Sequence, residues 1–526
     1  MAYLSGDTNL QPLVGNWYAW CHLLAPAPLA MNLAHRYLGT IKSFIRNPQV
    51  HGNASRDPSM FGGPFVSLSP DRLDDVVALQ QAMERDFSAL LAFAGDVKSF
   101  NQTLQQEATG HSLDGFYDRL PQSLKGCVEL LYDNMNQPRI RFIEELMTGA
   151  EFSSRPHQSL LLSNQPEEER DFFLSTPRLP QAGQLLINAP FADPRLDMLA
   201  RMRTAPADAK EVASALELSE EQARIFSGLC SDEAPKRNSP DHDGGGVRIR
   251  YFGHACVMLQ TRETTILIDP LMSSNATAAD RRFSVCDLPD KIDYVIITHG
   301  HQDHLVPEIL LQIRHKVDTV VIPRTNSGSL VDPSLKLMFR ELGFEKIVTL
   351  DPFDEIGVGD GKVVSIPFPG EHCDLDIYSR QGLFVRLGSA SILFLVDSHA
   401  VCESLYDKIR ERIGPVDTVF VGMECDGAPL TWLYGPLMFK PPQRKDDESR
   451  CMSSSNADQA FAAIRRFDCK EVYVYAMGQE PWLRFIMGLE YAPDSVQLAE
   501  CEKLAELCRE AGMSFEKLDI AAEMIR

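Results

Sequence analysis

The chain has 526 residues, of which 44% are hydrophobic and 24% are charged. This composition is typical of a globular protein, and the length exceeds what one hydrophobic core accommodates, so at least two domains are expected. The formal net charge of −22 argues against nucleic acid or an anionic membrane as the main partner, because both require a basic surface.

The sequence contains no uninterrupted apolar run of about 18 residues, so no transmembrane helix is predicted. Its first twenty residues lack a basic segment followed by an apolar one, and we expect no secretory signal. The twelve cysteines are scattered and form no C-x-x-C pair, which favours a reducing compartment. A cytoplasmic protein is therefore expected.

Before residue 236 the apolar residues recur mostly at helical spacing. Residues 70–97 predict helical structure, and residues 209–229 predict two short helices around a turn. No cluster of catalytic residue types occurs in this part of the chain. Residues 1–235 are therefore expected to form a mixed, mostly helical N-terminal domain.

A polar segment with three consecutive glycines follows, and residues 236–246 are expected to be an interdomain linker. Residues 247–526 then alternate short β-branched runs with amphipathic helices, which predicts an α/β domain. Several runs are apolar almost throughout, as expected for strands buried on both faces. The predicted strands are 247–253, 264–270, 294–300, 319–323, 362–369, 391–398, 417–424 and 471–476. The predicted helices are 308–316, 400–413 and 456–467, the last with Asn456 as its N-cap.

The stretch "THGHQDH", which follows a buried strand, concentrates metal-binding side chains. His299 and His301 are separated by one residue, so in extended backbone their side chains project to the same side and can bind one metal ion. Asp303 and His304 follow in the turn and can serve a second ion. Sites of α/β sheets form beyond the carboxyl ends of strands, which is where this stretch lies. The pattern therefore predicts a dinuclear metal centre.

These residues resemble the signature of the metallo-β-lactamase fold, a four-layer αββα sandwich with a dinuclear site at its edge. The resemblance covers roughly residues 247–480 and includes "GHACVML" at 253–259. It implies that Asp269 supports the metal loop and that Asp397, in "FLVDS", bridges the two metals.

The sequence departs from the hydrolases of this fold at two ligand positions. Where they usually supply a histidine after the strand "VSIPFPG", this chain has Glu371, followed by His372. Where they supply a last histidine after a late strand, this chain offers only Gln479 and Glu480, and no histidine follows His399. The site has therefore lost imidazole and gained carboxylate.

A mixed nitrogen and oxygen ligand set with open positions is typical of non-haem iron, although zinc also accepts such ligands. With its large N-terminal domain, the chain resembles the diiron β-hydroxylases of the CmlA type, which use O2 and external electrons to hydroxylate an aminoacyl group on a nonribosomal peptide synthetase carrier domain. An external electron donor is expected, because the sequence contains no flavin or dinucleotide-phosphate motif. Glu424 follows another buried strand and is a further candidate catalytic residue that lines the site. The resemblance implies a homodimer and catalytic roles for Glu371 and Asp397. It implies two iron ions with Asp397 shared: His299, His301 and Glu371 on one, and Asp303 and His304 on the other.

The alternative function is a zinc- or manganese-dependent hydrolase of the same fold, such as a lactonase, thioesterase or phosphodiesterase. A zinc pair lowers the pKa of bound water and so supports hydrolysis, but it cannot pass electrons to O2. His372 is either the ligand in place of Glu371 or, as the more ordinary interpretation, a residue that supports a ligand or packs.

Residues 425–450 form a connection that is long for an ordinary loop, which indicates a functional role. Its aromatic residues are candidates either for a pocket wall or for simple packing, and its basic residues either for docking an anionic carrier arm or for solvated surface. The aromatic candidates are Trp432, Tyr434 and Phe439, and the basic candidates are Lys440, Arg444 and Lys445.

Overall fold

The computed structural model describes residues 1–165, 169–278, 281–488 and 490–526. From residue 248 onward the chain builds two seven-stranded sheets. The strand order of the first sheet is Ile347–Leu350, Val317–Pro323, Ile292–Ile296, Thr265–Ile268, Cys256–Gln260, Arg248–Gly253 and Ala522–Ile525. The order of the second is Glu355–Val358, Gly361–Ile366, Gly382–Leu387, Ala390–Val396, Thr418–Gly422, Glu471–Tyr475 and Ser514–Lys517.

The two sheets face each other across an apolar layer that includes Ile268 from the first sheet and Phe394 and Phe420 from the second. In each sheet four consecutive strands run parallel. Because parallel strands end at the same edge of a sheet, the loops that follow them gather there. The predicted metal loop, Asp269 and Asp397 all lie in such loops.

Helices cover the outer faces of both sheets, so the predicted αββα architecture is confirmed. Glu403–Ile413, Ala457–Ile464 and Val496–Glu510 pack on the second sheet. The predicted N-cap of the middle helix is present, since the side chain of Asn456 accepts a hydrogen bond from the backbone N–H of Gln459. The remaining helices of this region are Pro307–Ile313, Leu335–Glu341, Leu430–Tyr434, Arg444–Ser449 and Arg484–Met487.

The region before residue 236 is largely helical, as predicted. Its helical segments are Cys21–Leu24, Pro26–Asn32, the π-helical turn Leu33–Tyr37, Leu38–Arg46, Pro48–Ala54, Leu73–Asp86, Ser88–Glu107, Asp114–Tyr117, Arg195–Arg201, Ala209–Ala215 and Glu220–Gly228. The predicted helix over 70–97 is two helices that meet at Phe87, whose ring packs on His157. Within the described ranges, no helix has both the length and the apolar character needed to cross a bilayer.

This region also contains an antiparallel sheet that the sequence did not predict. Its strands, in order, are Trp17–Tyr18, Thr8–Val14, Gln158–Asn164 and Leu185–Asn188. All seven residues of Thr8–Val14 are buried, including polar ones such as Asn9 and Gln11, so the apolar alternation of a half-exposed strand is missing. Two short strand pairs, Val128–Tyr132 with Pro138–Phe142 and Tyr3–Leu4 with Cys230–Ser231, complete the region.

The predicted linker, residues 236–246, contains neither helix nor strand. It lies against the region that follows it: the Arg237 guanidinium donates to the carbonyls of Cys286 and Leu288, and Arg248 donates to those of Ser239 and Pro240. The division into residues 1–235 and 247–526 stays a prediction.

The helix Pro307–Ile313 joins the two regions. It directly follows the metal loop, and all seven of its residues are buried, because the N-terminal region covers its outer face. Glu308 accepts hydrogen bonds from the Tyr18 hydroxyl at 2.8 Å and from Arg170 Nη1 at 2.7 Å. Arg203 donates from Nε to Gln312 Oε1 at 3.0 Å. The N-terminal region therefore holds the element that carries the metal loop.

We expect Arg170→Met to lower the thermal unfolding midpoint clearly, because it removes the cation that pairs with the carboxylate of Glu308 in a buried site. The two side chains are only 8% and 2% exposed, and removing one partner of such a pair costs about 3 kcal/mol. The measurement is differential scanning calorimetry of the variant. The double variant Arg170→Met, Glu308→Gln should recover most of the loss.

Arg444→Met is the matched control, since Arg444 pairs with Glu448 on the surface with 92% of its side chain exposed. Exposed pairs of this kind contribute little, so its midpoint should not change measurably. Equal midpoints for Arg170→Met and the wild type would show that the buried pair does not hold the two regions together.

Candidate metal centre

Asp269 holds the metal loop in place by hydrogen bonds. It follows the strand Thr265–Ile268, is fully buried, and has a positive φ of 41°, a conformation that turns its carboxylate toward the loop. Its Oδ1 accepts the backbone N–H of Thr298 at 2.7 Å, and its Oδ2 accepts the Thr298 hydroxyl at 2.6 Å and Nδ1 of His304 at 2.8 Å. The support implied by the resemblance is present in the structure.

These bonds also set the tautomers of two histidines. Because the Thr298 hydroxyl donates to Asp269, its oxygen is free to accept Nδ1–H of His299, which lies 3.0 Å away. His304 likewise donates its Nδ1–H to Asp269. Both rings therefore keep a proton on Nδ1 and direct Nε2 into the site, so Nε2 is the nitrogen available to bind metal.

His301 has the opposite orientation and directs Nδ1, not Nε2, toward Glu371. Its Nε2 lies 2.6 Å from the hydroxyl of Tyr434, a buried residue of the helix Leu430–Tyr434. Its Nδ1 is 2.6 Å from Oε1 of Glu371. Burial raises the pKa of Tyr434 well above its usual value, so the phenol stays protonated and its oxygen can accept the Nε2–H of His301. The sequence predicted Tyr434 as a pocket wall or a packing residue, and not as a partner of His301.

Glu371 enters the site from the loop after the strand Gly361–Ile366. It has a positive φ of 62°, and its Oε2 lies 3.8 Å from Nε2 of His299. The neighbouring His372 places its Nδ1 3.2 Å from the Gly370 carbonyl oxygen, and its ring centroid lies 4.5 Å from that of His301 with the rings tilted by 33°. The glutamate therefore faces the histidines, and His372 packs beside them.

Asp397 lies between the two halves of the site. Its Oδ2 is 2.8 Å from Nε2 of His304, and its carboxylate can share an ion with His299 and His304. Val396 precedes it with a positive φ of 55°, which is rare for a β-branched residue and turns the chain into the site. Gly422 on the adjacent strand leaves the necessary space, since a β-carbon there would clash with Asp397 Oδ1.

The donor atoms fit a pair of cations. Five buried atoms that point into the cluster have no hydrogen-bond partner among the described residues: His299 Nε2, Asp303 Oδ1, His304 Nε2, Glu371 Oε2 and Asp397 Oδ1. Unpaired buried polar atoms are costly, so a group absent from the protein itself must satisfy them. Three imidazoles and three carboxylates match the mixed ligand sets of non-haem iron.

The electrostatics of the cluster also favour bound cations. Burial opposes protonation of His304, but the carboxylates of Asp397 and Asp303 outweigh it and raise the pKa of His304 well above its usual value. Burial similarly opposes ionisation of Glu371, but the imidazoles, chiefly those of His301 and His372, hold the pKa of Glu371 well below its usual range. Glu371 is therefore anionic, and positive charge is favoured at Nε2 of His304.

Among the described residues, donor atoms that could hold a metal converge in three groups, and Glu424 belongs to none of them. The groups are His299, His301, Glu371 and His372; His254, Asp303 and His304; and His299, His304 and Asp397. Burial raises the pKa of Glu424 well above its usual value, and the charges of Asp303 and Asp397 add to the rise. The neighbouring Tyr491 hydroxyl counters part of this rise in pKa. Glu424 is therefore a protonated acid beside the site.

Gln479 and Glu480, the polar residues that follow the late strand, form hydrogen bonds outside the metal cluster. Oε1 of Glu480 accepts the backbone N–H of His254 and the Tyr251 hydroxyl, and Gln479 accepts a hydrogen bond from Lys517. Neither side chain belongs to a ligand cluster of the described residues.

The long loop packs against the N-terminal region. The Trp432 indole donates to the Gly62 carbonyl and lies 5.5 Å from the ring of Phe172. Phe439 lines a separate cavity of about 630 Å³. Lys440, Arg444 and Lys445 are exposed, which is compatible with either of their predicted roles.

We expect Asp269→Asn to weaken metal binding roughly 10- to 100-fold, since an amide cannot accept all three donors and the tautomers of His299 and His304 are no longer fixed. The measurement is metal content after dialysis against a chelator. Asp351→Asn, a change at an exposed carboxylate 66% accessible to solvent, is the control. Full metal retention by Asp269→Asn would contradict the role given to Asp269.

Comparisons with known proteins agree with this geometry. The profile described as "Diiron non-heme beta-hydroxylase N-terminal domain" matches residues 3–234, and that described as "Beta-lactamase superfamily domain" matches residues 264–474. The chain is 36% identical over 526 residues to the 4-amino-L-phenylalanyl-(CmlP-peptidyl-carrier-protein) 3-hydroxylase of Streptomyces venezuelae, with 98% of both chains covered.

The crystal structure of CmlA, a diiron β-hydroxylase from Streptomyces venezuelae, superposes with a TM-score of 0.93 and 34% identity over 100% of both chains. A UPF0173 metal-dependent hydrolase of Listeria monocytogenes is 24% identical over 188 residues, which are 33% of this chain and 72% of the relative. The similarity to the hydroxylase extends through the N-terminal region, whereas that to the hydrolase spans a third of the chain. The chain therefore belongs to the family of diiron non-haem β-hydroxylases whose metal centre is built on the metallo-β-lactamase fold.

Proposed function

We propose that this protein uses O2 and external electrons to hydroxylate the β-carbon of an aminoacyl group tethered to a nonribosomal peptide synthetase carrier domain. The relative from Streptomyces venezuelae acts, by its name, on a carrier-bound 4-amino-L-phenylalanyl group. The aminoacyl group of this protein's own substrate is not part of the proposal.

The observation that carries the proposal is Glu371, at the position where hydrolases of the fold supply an imidazole. With Asp303 and Asp397 it gives the proposed ligand set three carboxylates beside three histidines. Oxygen-rich ligand sets suit iron and other hard ions better than imidazole-dominated ones. No observation favours the zinc or manganese hydrolase over this assignment.

We propose the ligand assignment that the resemblance implies. His299, His301 and Glu371 hold one iron, Asp303 and His304 hold the other, and Asp397 is shared. When bound, the ferrous pair supplies two electrons and a coordination face for O2. In the overall reaction one oxygen atom enters the C–H bond and the other leaves as water, with two electrons and two protons supplied in total. The electrons come from an external donor.

The protein's own residues orient the ligands and handle protons. Asp269 and Tyr434 fix the histidine rings in one tautomer each, which leaves one orientation of each ring for the metals. Glu424, partly buried and with a raised pKa beside Asp303 and Asp397, is proposed to hold a proton at its carboxyl for the oxygen atom that leaves as water.

A carrier-bound substrate needs a passage long enough for its phosphopantetheine arm. A cavity of about 310 Å³ lies beside the end of the strand Glu471–Tyr475 and is lined by Tyr491, the neighbour of Glu424. It shares Pro481, Arg484 and Glu490 with a second cavity of about 750 Å³ that extends along the N-terminal region. We propose that the arm lies in these two cavities, with its phosphate near Arg484.

We further propose that residues 1–235 are a domain that forms a homodimer and contributes to carrier docking, separate from the metal domain at 247–526. These proposals rest on the family alone. Size-exclusion chromatography with light scattering would test the dimer.

The test of the function is a single-turnover reaction of the diferrous protein with 18O2 and an aminoacylated carrier domain. We expect one 18O atom in the aminoacyl group at its β-carbon, detected by mass spectrometry of the released acid. Incorporation from H2 18O instead, or hydrolysis of the thioester without O2, would reject the hydroxylase and favour the hydrolase.

Glu371→His is the matched variant, because it restores the imidazole that hydrolases have at this position. It should bind zinc in preference to iron in a competition experiment and form no hydroxylated product. Hydroxylation by this variant at the wild-type rate would show that Glu371 is not a ligand.

The proposed passage makes a second prediction. Arg484→Glu should raise the KM for the aminoacylated carrier by roughly tenfold, equivalent to about 1.4 kcal/mol of lost interaction, since it places a negative charge beside the phosphate of the arm. Iron content and the thermal unfolding midpoint should stay at wild-type values, because Arg484 is half exposed.

Arg444→Glu makes the same charge change on the exposed basic stretch of the long loop, which is the competing docking candidate. If Arg444→Glu raises KM and Arg484→Glu does not, the carrier arm docks at the loop and the cavity proposal is wrong.

A further inference from the structure

We infer that His254 is a positioning residue of the metal centre, and that it orients Asp303 by a hydrogen bond from its ring. His254 lies in the turn between the strands Arg248–Gly253 and Cys256–Gln260, 49 residues before Asp303 in the chain. The inference rests on the proposed function only in taking Asp303 as a metal ligand.

The two carboxylate oxygens of Asp303 have different surroundings. Nε2 of His254 lies 3.0 Å from Oδ2 of Asp303, and the pair has the geometry of a hydrogen bond. Oδ1 of Asp303 is buried and lacks a hydrogen-bond partner in the part of the chain that the structure describes. One oxygen is thus held by the imidazole, and the other is free for a cation.

His254 is a donor here and not a further ligand. Two atoms that bind the same ion lie close together, but they lack the donor–hydrogen–acceptor alignment of a hydrogen bond. His304 Nε2 and Asp397 Oδ2 do so: they are 2.8 Å apart, yet this nitrogen makes no hydrogen bond to any described residue. The bond from His254 to Asp303 is aligned, as expected for the outer hydrogen bonds that fix metal-binding carboxylates.

The turn that carries His254 is itself held in place. His254 has a positive φ of 47°, an uncommon conformation for a residue with a side chain. Its N–H donates to Oε1 of Glu480 at 2.5 Å, and its carbonyl accepts the N–H of Ala476 at 2.7 Å. The Tyr251 hydroxyl also donates to Glu480. Glu480, which follows the late strand where hydrolases have a histidine, therefore stabilises the turn that supports Asp303.

The test compares His254→Ala with His254→Gln in the full-length protein. Apo-protein is loaded anaerobically with Fe2+, and iron is then withdrawn by a competing chelator, so neither substrate nor O2 is present. We expect His254→Ala to release one of its two irons to the chelator at roughly 10- to 100-fold lower concentration than the wild type. His254→Gln should stay within about threefold of the wild type, because its amide N–H reaches the position of the imidazole Nε2–H.

Near-infrared circular dichroism of the ferrous protein gives a second readout, since it reports the ligand geometry at each iron. We expect altered bands in His254→Ala and wild-type bands in His254→Gln. His315→Gln, beyond the helix Pro307–Ile313, is the control for replacing a largely buried histidine. Thermal unfolding of the metal-free variants separates loss of metal from loss of fold.

Two outcomes would overturn the inference. Retention of both irons by His254→Ala at wild-type affinity would show that Asp303 needs no support. Equal iron loss in His254→Ala and His254→Gln, with unchanged apo unfolding, would show that the imidazole is itself a ligand. Because the readout is iron binding, a failure of hydroxylation would leave this test unaffected.

Discussion

The metal centre depends on one buried carboxylate. Asp269 accepts three hydrogen bonds from Thr298 and His304, and through the Thr298 hydroxyl it also fixes His299. A buried carboxylate without such donors would be strongly destabilising, so the bonds stabilise Asp269 as much as they orient the loop. The consequence is that the histidines at both ends of the loop present Nε2 to the centre before any ion binds. A preorganised ligand set loses little entropy on binding metal, and the remaining ligands can then be contributed by distant loops.

The N-terminal region supports the same loop from outside. Glu308, in the helix that follows the loop, is paired with Arg170, and both side chains are buried. Arg36 donates to the carbonyls of Trp432 and Leu433, and so holds the short helix whose last residue, Tyr434, contacts His301. The contact through Glu308 supports the helix that follows the metal loop, and the contact through Arg36 supports Tyr434 beside His301. The N-terminal region is therefore part of the support of the metal centre, which explains why similarity to the hydroxylases extends along the whole chain.

The sequence predicted those features that arise from local patterns. Buried strands, the H-x-H-x-D-H spacing and the Asn456 N-cap depend on residues close in the chain, and each could be identified there. The outer partners of the ligands could not, because Tyr434 and His254 are separated from His301 and Asp303 by 133 and 49 residues. A single histidine such as His254 carries no local signal of its role. The N-terminal sheet was missed for a related reason, since its buried polar residues conceal the alternation of a strand.

The loss of the late histidine explains how a hydrolase fold can accept a large tethered substrate. The segment after the strand Glu471–Tyr475 contains no histidine that could bind metal. Its Glu480 instead accepts a hydrogen bond from the backbone N–H of His254 and so stabilises that turn. Residues of this same stretch, from Met477 to Pro481, line the cavity of about 310 Å³ next to Tyr491. In the proposed assignment the second metal would lack this late histidine, and the cavity lies along the stretch where that ligand is missing. An open face and an access route on the same side are what O2 activation beside a bound C–H group requires, because the reacting atoms must meet without water between them.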